Sequence, residues 1–300
     1  MNQRKAWVLL IFCNLFWSGN YVFGKYVVGE MSPLLLTYLR WVPATLLLMI
    51  IAQKMEKPSW KTAVKSWRVL LGMAVTGIIA YNMILYTALT YTSSTNAAVV
   101  SALNPALLVV VSAVLLREKL TRIQSVGIFV SFIGVMVIIT GGSLAHLINL
   151  QINQGDVMML GAITVWTIYS IVGKRLAQVP PITATALSAL MAVGLLTPFA
   201  LPQLVALHQL PPLAILGIVY IFLFPSVGSF IFWNVALREI DAGKAGIFLN
   251  LIPVFTAGIN LLLGVPVTLV QITGGLLVFL GVYTTTGMLE KKFIGHRMTS

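Results

Sequence analysis

Charge is what this chain has least of. Only 9% of its 300 residues are Asp, Glu, Lys or Arg, while 59% are hydrophobic and the mean hydropathy is +0.97. A soluble domain carries about 25% charged residues. This composition cannot cover a water-facing surface, so the chain reads as an integral membrane protein. Acids are scarcest, seven against 19 Lys and Arg. A net charge of +12 on a soluble chain would suggest nucleic acid; here the basic residues lie between apolar runs, and no nucleic-acid partner is expected. The single cysteine, Cys13, allows no intramolecular disulfide. Enzyme signatures are missing as well: no HExxH, no acidic pair at metal spacing, no embedded Ser/His/Asp set and no phosphate loop. Neither a cofactor nor a metal is expected, and no nucleotide-hydrolysing domain fits.

What remains is apolar sequence in span-sized pieces. A transmembrane helix needs about 20 mostly apolar residues. Ten stretches qualify: 6–25, 33–52, 67–90, 94–116, 122–141, 155–174, 181–201, 211–236, 243–264 and 268–289. They lack the every-second-residue alternation of barrel strands. Arg4 and Lys5 before an apolar run resemble a signal peptide, but the run passes Trp17 without a small-residue cleavage site. With ten spans, 17 of the 19 Lys and Arg fall on one side, among them Arg4, Lys54, Arg117, Lys174, Lys244 and Lys291. The other side holds only Lys25, and Arg40 lies within the second span. Positive loops stay cytoplasmic, so both termini are expected there.

The chain also repeats itself. Trp17, Gly24 and Lys25 fall on Trp166, Gly173 and Lys174, each 149 positions on (166 − 17 = 149). Pro105 falls on Pro253, and Thr121, Gln124, Gly127 and Gly134 fall on Thr268, Gln271, Gly274 and Gly281. Five spans per half is odd, so the second half enters the membrane from the opposite side. That predicts an all-α fold of two inverted-topology five-helix repeats around a central cavity. The halves are 6–141 and 155–289, joined by a loop at 142–154 and followed by a cytoplasmic tail at 290–300. Arg117-Glu118-Lys119 after the fourth span becomes Val265-Pro266-Val267 after the ninth, as opposite sidedness requires.

Several stretches carry a family resemblance: Trp17-Ser18-Gly19-Asn20-Tyr21, Leu39-Arg40-Trp41, Ala88-Leu89-Thr90-Tyr91-Thr92-Ser93, Leu103-Asn104-Pro105, and Glu118-Lys119-Leu120-Thr121 leading into Gly127 and Gly134. Through them the chain resembles the drug/metabolite transporter superfamily, specifically its ten-helix exporters with two EamA domains. The resemblance covers about residues 6–289. It implies a cavity open alternately to each side, efflux of amino acids or related metabolites, and a bacterial inner membrane. Pro266 stands where the second half should carry the Glu of the Glu-Lys-Leu-Thr motif, so the two corners are not equivalent.

Polar side chains are costly in hydrocarbon and normally face a cavity or the protein interior. Trp17, Asn20, Tyr21 and Gly24 share one face of the first span; Trp166, Tyr169, Ser170 and Gly173 repeat that face on the sixth. The expectation is two opposed cavity walls, against a reading as aromatic packing and interfacial anchors. Trp17 lies too deep for the interface. In the third span Asn82 and Tyr86 share a face, with Tyr81 about 100° away; Tyr81 and Asn82 are preferred as cavity residues. Ser229 and Trp233 occupy the matching part of the eighth span. Ser101, Asn104 and Asn250 precede the paired prolines, whose missing N–H groups make Pro105 and Pro253 either hinges or static kinks. Arg40 is a candidate for a substrate carboxylate or a structural residue, since an unpaired arginine in an empty cavity is expensive.

A small-molecule substrate and the lipid bilayer are the expected partners, and a monomer is compatible with the sequence. The acids all lie at span ends or in loops, which favours facilitated transport or exchange over a proton relay. The leading reading is a secondary carrier of amphipathic metabolites, with apolar or aromatic side chains suiting the aromatic walls. A nucleotide-sugar or lipid-linked-sugar carrier would need more basic residues for phosphate, and a drug carrier is a further alternative within the superfamily. A membrane sensor or assembly protein has no need of interchangeable halves.

Overall fold

The structure is a computed structural model and describes residues 3–107, 110–111, 121–143, 145, 153–174, 176, 178–237 and 248–285. The described residues are helical, with no strand among them. Helix α1 (Gln3–Val27) is followed by α2 (Pro33–Met55), which starts at a proline behind an N-capping serine: Ser32 Oγ accepts from Leu35 N at 3.1 Å. A short helix, α3 (Trp60–Val64), crosses the following connection. Next come α4 (Trp67–Met73), a π-helical segment (Ala74–Ala80) and α5 (Tyr81–Tyr91), which run on as one rod. Helix α6 (Ser94–Ser101) is capped by Ser93, whose Oγ accepts from Asn96 N at 3.1 Å.

Helix α7 (Arg122–Ile139) is the last of the first half; in the second half α8 (Gln154–Lys174) precedes α9 (Pro181–Ala200), which tightens into a 3₁₀ segment (Leu201–Gln209). Helix α10 (Pro212–Ile221), a π-helical segment (Phe222–Ser229) and α11 (Phe230–Leu237) again form one rod. Helices α12 (Leu251–Leu262) and α13 (Leu269–Thr285) close the described chain. Five of the described helices are long and apolar enough to cross a membrane, and residues 125–138, 251–262 and 269–284 form shorter apolar helices.

Two rods that read as uninterrupted spans carry a π segment each, starting at Ala74 and Phe222 (222 − 74 = 148). Two others break. Helical structure lapses at Ala102-Leu103, one residue ahead of Asn104-Pro105, and at Leu249-Asn250, just ahead of α12 with Pro253 in its first turn. Each proline thus sits where an N–H would have no helical partner anyway, so the chain resumes its helix at no added hydrogen-bond cost.

Helix α1 runs between α6, α12 and the α10–α11 rod; α8 packs on the α4–α5 rod and on α6; α2 pairs with α9, and α7 with α13. The outer faces carry exposed Leu46, Ile50, Phe129, Phe199 and Leu216. So much apolar surface is untenable in water and suits lipid. The chain is a multi-pass membrane protein. The corner at Arg117-Glu118-Lys119, the acids Glu239, Asp241 and Glu290 and the tail at 290–300 lie outside the described residues.

Candidate functional site

A cavity opens among α1, α2, the α4–α5 rod, α6 and α8. It is lined by Trp17, Asn20, Tyr21, Arg40, Trp41, Gly77, Tyr81, Asn82, Ser101, Asn104, Ile163, Trp166, Phe230, Leu249 and Ile252, and the space between them is about 620 Å³ including its open side. The lining also includes residues beside both helix breaks: Ser101 and Asn104 at one, Leu249 and Ile252 at the other.

Aromatic rings form one wall. Trp17 meets Trp166 edge-on at 6.3 Å, Phe230 at 6.2 Å and Trp233 at 5.6 Å. Trp166 continues the cluster to Tyr81 at 4.9 Å and Tyr169 at 5.0 Å. Offset and edge-to-face contacts of this kind are favourable beyond the area they bury. Gly77 is what admits Tyr169: a Cβ at Gly77 would lie 2.2 Å from its Cδ2. The π segment carries Gly77 against this ring.

Arg40 forms the opposite, polar wall. It is 3% exposed. Its Nε donates to Ser226 Oγ at 2.9 Å; its Nη1 donates to Asn82 Oδ1 at 2.8 Å, Asn20 Oδ1 at 3.1 Å and the Tyr86 hydroxyl. Tyr86 passes its own proton to Asn20 Oδ1 at 2.8 Å, and Ser226 donates onward to Ile221 O at 3.0 Å. The guanidinium carbon lies 5.5 Å from the Trp41 ring centre and 5.7 Å from that of Tyr86. Four elements thus converge on one cation, and every partner is neutral.

The remaining hydroxyls form a second small network. Tyr21 OH lies 2.6 Å from Ser101 Oγ, which donates to Ala97 O at 2.8 Å, and Tyr81 OH lies 3.4 Å from Tyr21 OH. Thr167 Oγ1 reaches Asn104 Oδ1 at 3.3 Å.

The structure brings Trp17, Asn20, Tyr21, Arg40, Tyr81, Asn82, Ser101, Asn104 and Trp166 onto the lining. Tyr81 and Asn82 both reach it, although about 100° apart: Asn82 joins Arg40, and Tyr81 joins Trp166. Tyr169 and Trp233 stand behind the wall, touching it through Trp166 and Trp17. Ser170 turns its hydroxyl onto its own helix, at Trp166 O. Ser229 is used elsewhere: its Oγ donates to Cys13 O at 2.9 Å and its carbonyl accepts from Cys13 Sγ, stitching α1 to the π segment. Asn250 is buried at the second helix break, off the lining, with its Oδ1 unpaired. Sequence reading missed Ser226 and undervalued Trp41 and Tyr86. Trp41 was visible as the neighbour of Arg40. Ser226 sits in a π segment that no apolar period announces.

The described helices form an apolar bundle around an aromatic and polar cavity. The family model for the EamA-like transporter family matches residues 4–140 and again 153–287. The chain belongs to that family, and so to the membrane transporters of the drug/metabolite transporter superfamily. It is 30% identical to "Uncharacterized transporter YyaM" of Bacillus subtilis, over 97% of this chain and 96% of that one. It is 31% identical to an "Uncharacterized transporter" of Archaeoglobus fulgidus, over 93% and 98%. A solved crystal structure at 18% identity shares the fold, with a TM-score of 0.64 over 95% of this chain and 98% of its own.

Proposed function

We infer that the central cavity is a substrate site and that the protein exports small amphipathic metabolites, amino acids or related compounds, by alternating access. The observation that carries this is the junction of an aromatic wall and a polar wall in one cavity within an apolar bundle, with a helix break on either side of it. The aromatic wall takes the apolar part of a substrate, and the polar wall takes its head. The matched Trp17 and Trp166 faces, the family match to both halves and the recurrence of π segments and helix breaks support two inverted repeats of five spans. Pro105 and Pro253 then serve as hinges, loop charge favours both termini on the cytoplasmic side, and the bacterial relative favours an inner membrane.

Among the described residues no acid lines the cavity, which favours facilitated transport or exchange over a proton relay. The test is reconstitution into liposomes, with counterflow of a labelled panel of amino acids, carboxylic acids and amines. Exchange of a panel member supports the reading. Well-folded protein that exchanges none of them would sink it.

A further inference from the structure

The polar wall has an unequal balance of donors and acceptors. Its amide acceptors are engaged: Asn20 Oδ1 takes two hydrogen bonds, and Asn82 Oδ1 takes one from Arg40 while its Nδ2 is tied to Ile78 O at 2.7 Å. The Arg40 contacts fix which end of each amide faces the cation, so the amides cannot flip to restore the balance. Donors remain. Arg40 Nη2 and Asn20 Nδ2 donate to no described residue, and Trp41 Nε1 is buried without any acceptor. Arg40, Asn20 and Trp41 all line the cavity and are mutual neighbours, through the 3.1 Å Nη1–Oδ1 bond and the 5.5 Å cation–ring contact.

A buried charge is normally paired, yet no acid is among the described residues that line this cavity. Leaving donors buried and unpaired is costly too. One kind of ligand resolves both: a group with a single negative charge and two acceptor oxygens. The free Nη2 of Arg40 and Nδ2 of Asn20 offer a carboxylate two donors, one of them charge-assisted. One cation is too little for a phosphate dianion, and the aromatic wall wants an apolar body. An ammonium on this wall would meet a fixed cation.

Resting on the reading of this cavity as a transport site, we propose that among amphipathic metabolites the site prefers a monoanionic carboxylate with an aromatic or branched apolar body over the same body carrying an ammonium group. Arg40 Nη2 and Asn20 Nδ2 receive the carboxylate. The cation supplied by Arg40 is then a resident counter-charge, held ready by Asn20, Asn82, Tyr86 and Ser226.

Three probes share one body and differ in charge: 3-phenylpropionate, phenylalanine and 2-phenylethylamine. In counterflow by the full-length protein in liposomes, the anion should be exchanged at least about tenfold better than the other two, the scale of one charge-assisted two-point contact. Arg40→Gln should abolish the preference, and Arg40→Lys should keep part of it. If phenylalanine or the amine is exchanged as well as the anion or better, the proposal falls while the transport reading stands. If no member of the wider panel is exchanged, both fall. Should Arg40→Gln fail to fold, the thermal unfolding of the unaltered protein decides: a rise in midpoint with the anion alone supports the proposal, and a rise with the amine, or with none of the three, overturns it.

Discussion

At the scale of single residues, Arg40 organises the site. Its buried guanidinium is tolerated because Asn20, Asn82, Tyr86 and Ser226 replace water around it. Tyr86 reaches it because α1 has a glycine alongside: a Cβ at Gly24 would press to 3.0 Å from Tyr86 Cε1. Removing a partner should therefore cost more than one ordinary hydrogen bond. Tyr86→Phe is expected to destabilise the fold by about 1–2 kcal/mol, and Asn82→Leu by about 1–3 kcal/mol because it strands a donor of a buried cation. Equilibrium unfolding by steric trapping in micelles measures both; unchanged stability in the two variants would refute the caging role. Arg40 itself was legible in the sequence, as the one charge inside a span. Its cage was not. Helical period tells which residues share a face, but not that faces of α1, α2, the α4–α5 rod and a π segment meet at one point.

At the scale of elements, the helix pairs divide by what separates them. The α2–α9 contact is tied at one end by Glu56, whose carboxylate accepts from Ile182 N at 3.0 Å and Thr183 N at 2.7 Å, capping the first turn of α9. The α7–α13 contact depends instead on missing side chains. A Cβ at Gly281 would lie 2.3 Å from Ser131 N and 2.5 Å from Gly127 O, and one at Gly134 would lie 2.7 Å from Gly274 O. These are backbone atoms, so a neighbouring rotamer cannot relieve the clash. Close helix approach through small residues is a membrane packing device. Gly281→Ala should force the pair apart at a cost of about 1–3 kcal/mol, while Gly258→Ala, where nothing lies within 4 Å, should be neutral. The two melting midpoints in detergent test this, and equal midpoints would contradict it. The sequence marked these glycines through the repeat, but it did not say that they face one another. It did not announce the π segments, which keep the apolar composition of a span and change only its register.

At the scale of the whole molecule, polar links gather at the ends of the bundle. At the end that holds Thr92, Asp156 accepts from the Thr92 hydroxyl and from Asn96 Nδ2 at 3.1 Å. Gln271 Nε2 donates to Asn96 Oδ1 at 2.8 Å and to Ser93 Oγ at 3.2 Å. Asn260 Nδ2 donates to Ser94 Oγ and Thr95 Oγ1, both at 2.8 Å, and its Oδ1 accepts from Ser94. The start of α6 is thus fastened to α8, α12 and α13. Glu56 lies at the far end of α2, whose 23 residues span about 35 Å at 1.5 Å each. Under the proposed alternating access the Thr92 end parts while the Glu56 end holds, and its links then set part of the balance between the two states. Asn260→Ala removes all three links to Ser94 and Thr95, and Ala at this position keeps the helix propensity of α12. The expected loss of about 1–2 kcal/mol on the closed side changes the open-to-closed ratio about five- to thirtyfold. Spin labels at Thr90 and Thr268, both exposed, report it by pulsed dipolar spectroscopy in nanodiscs. The longer-distance population should grow in Asn260→Ala and shrink again when the cavity ligand that favours the closed end is added. An unchanged distance distribution in the variant would mean that these bonds hold the helices together in every state and gate nothing.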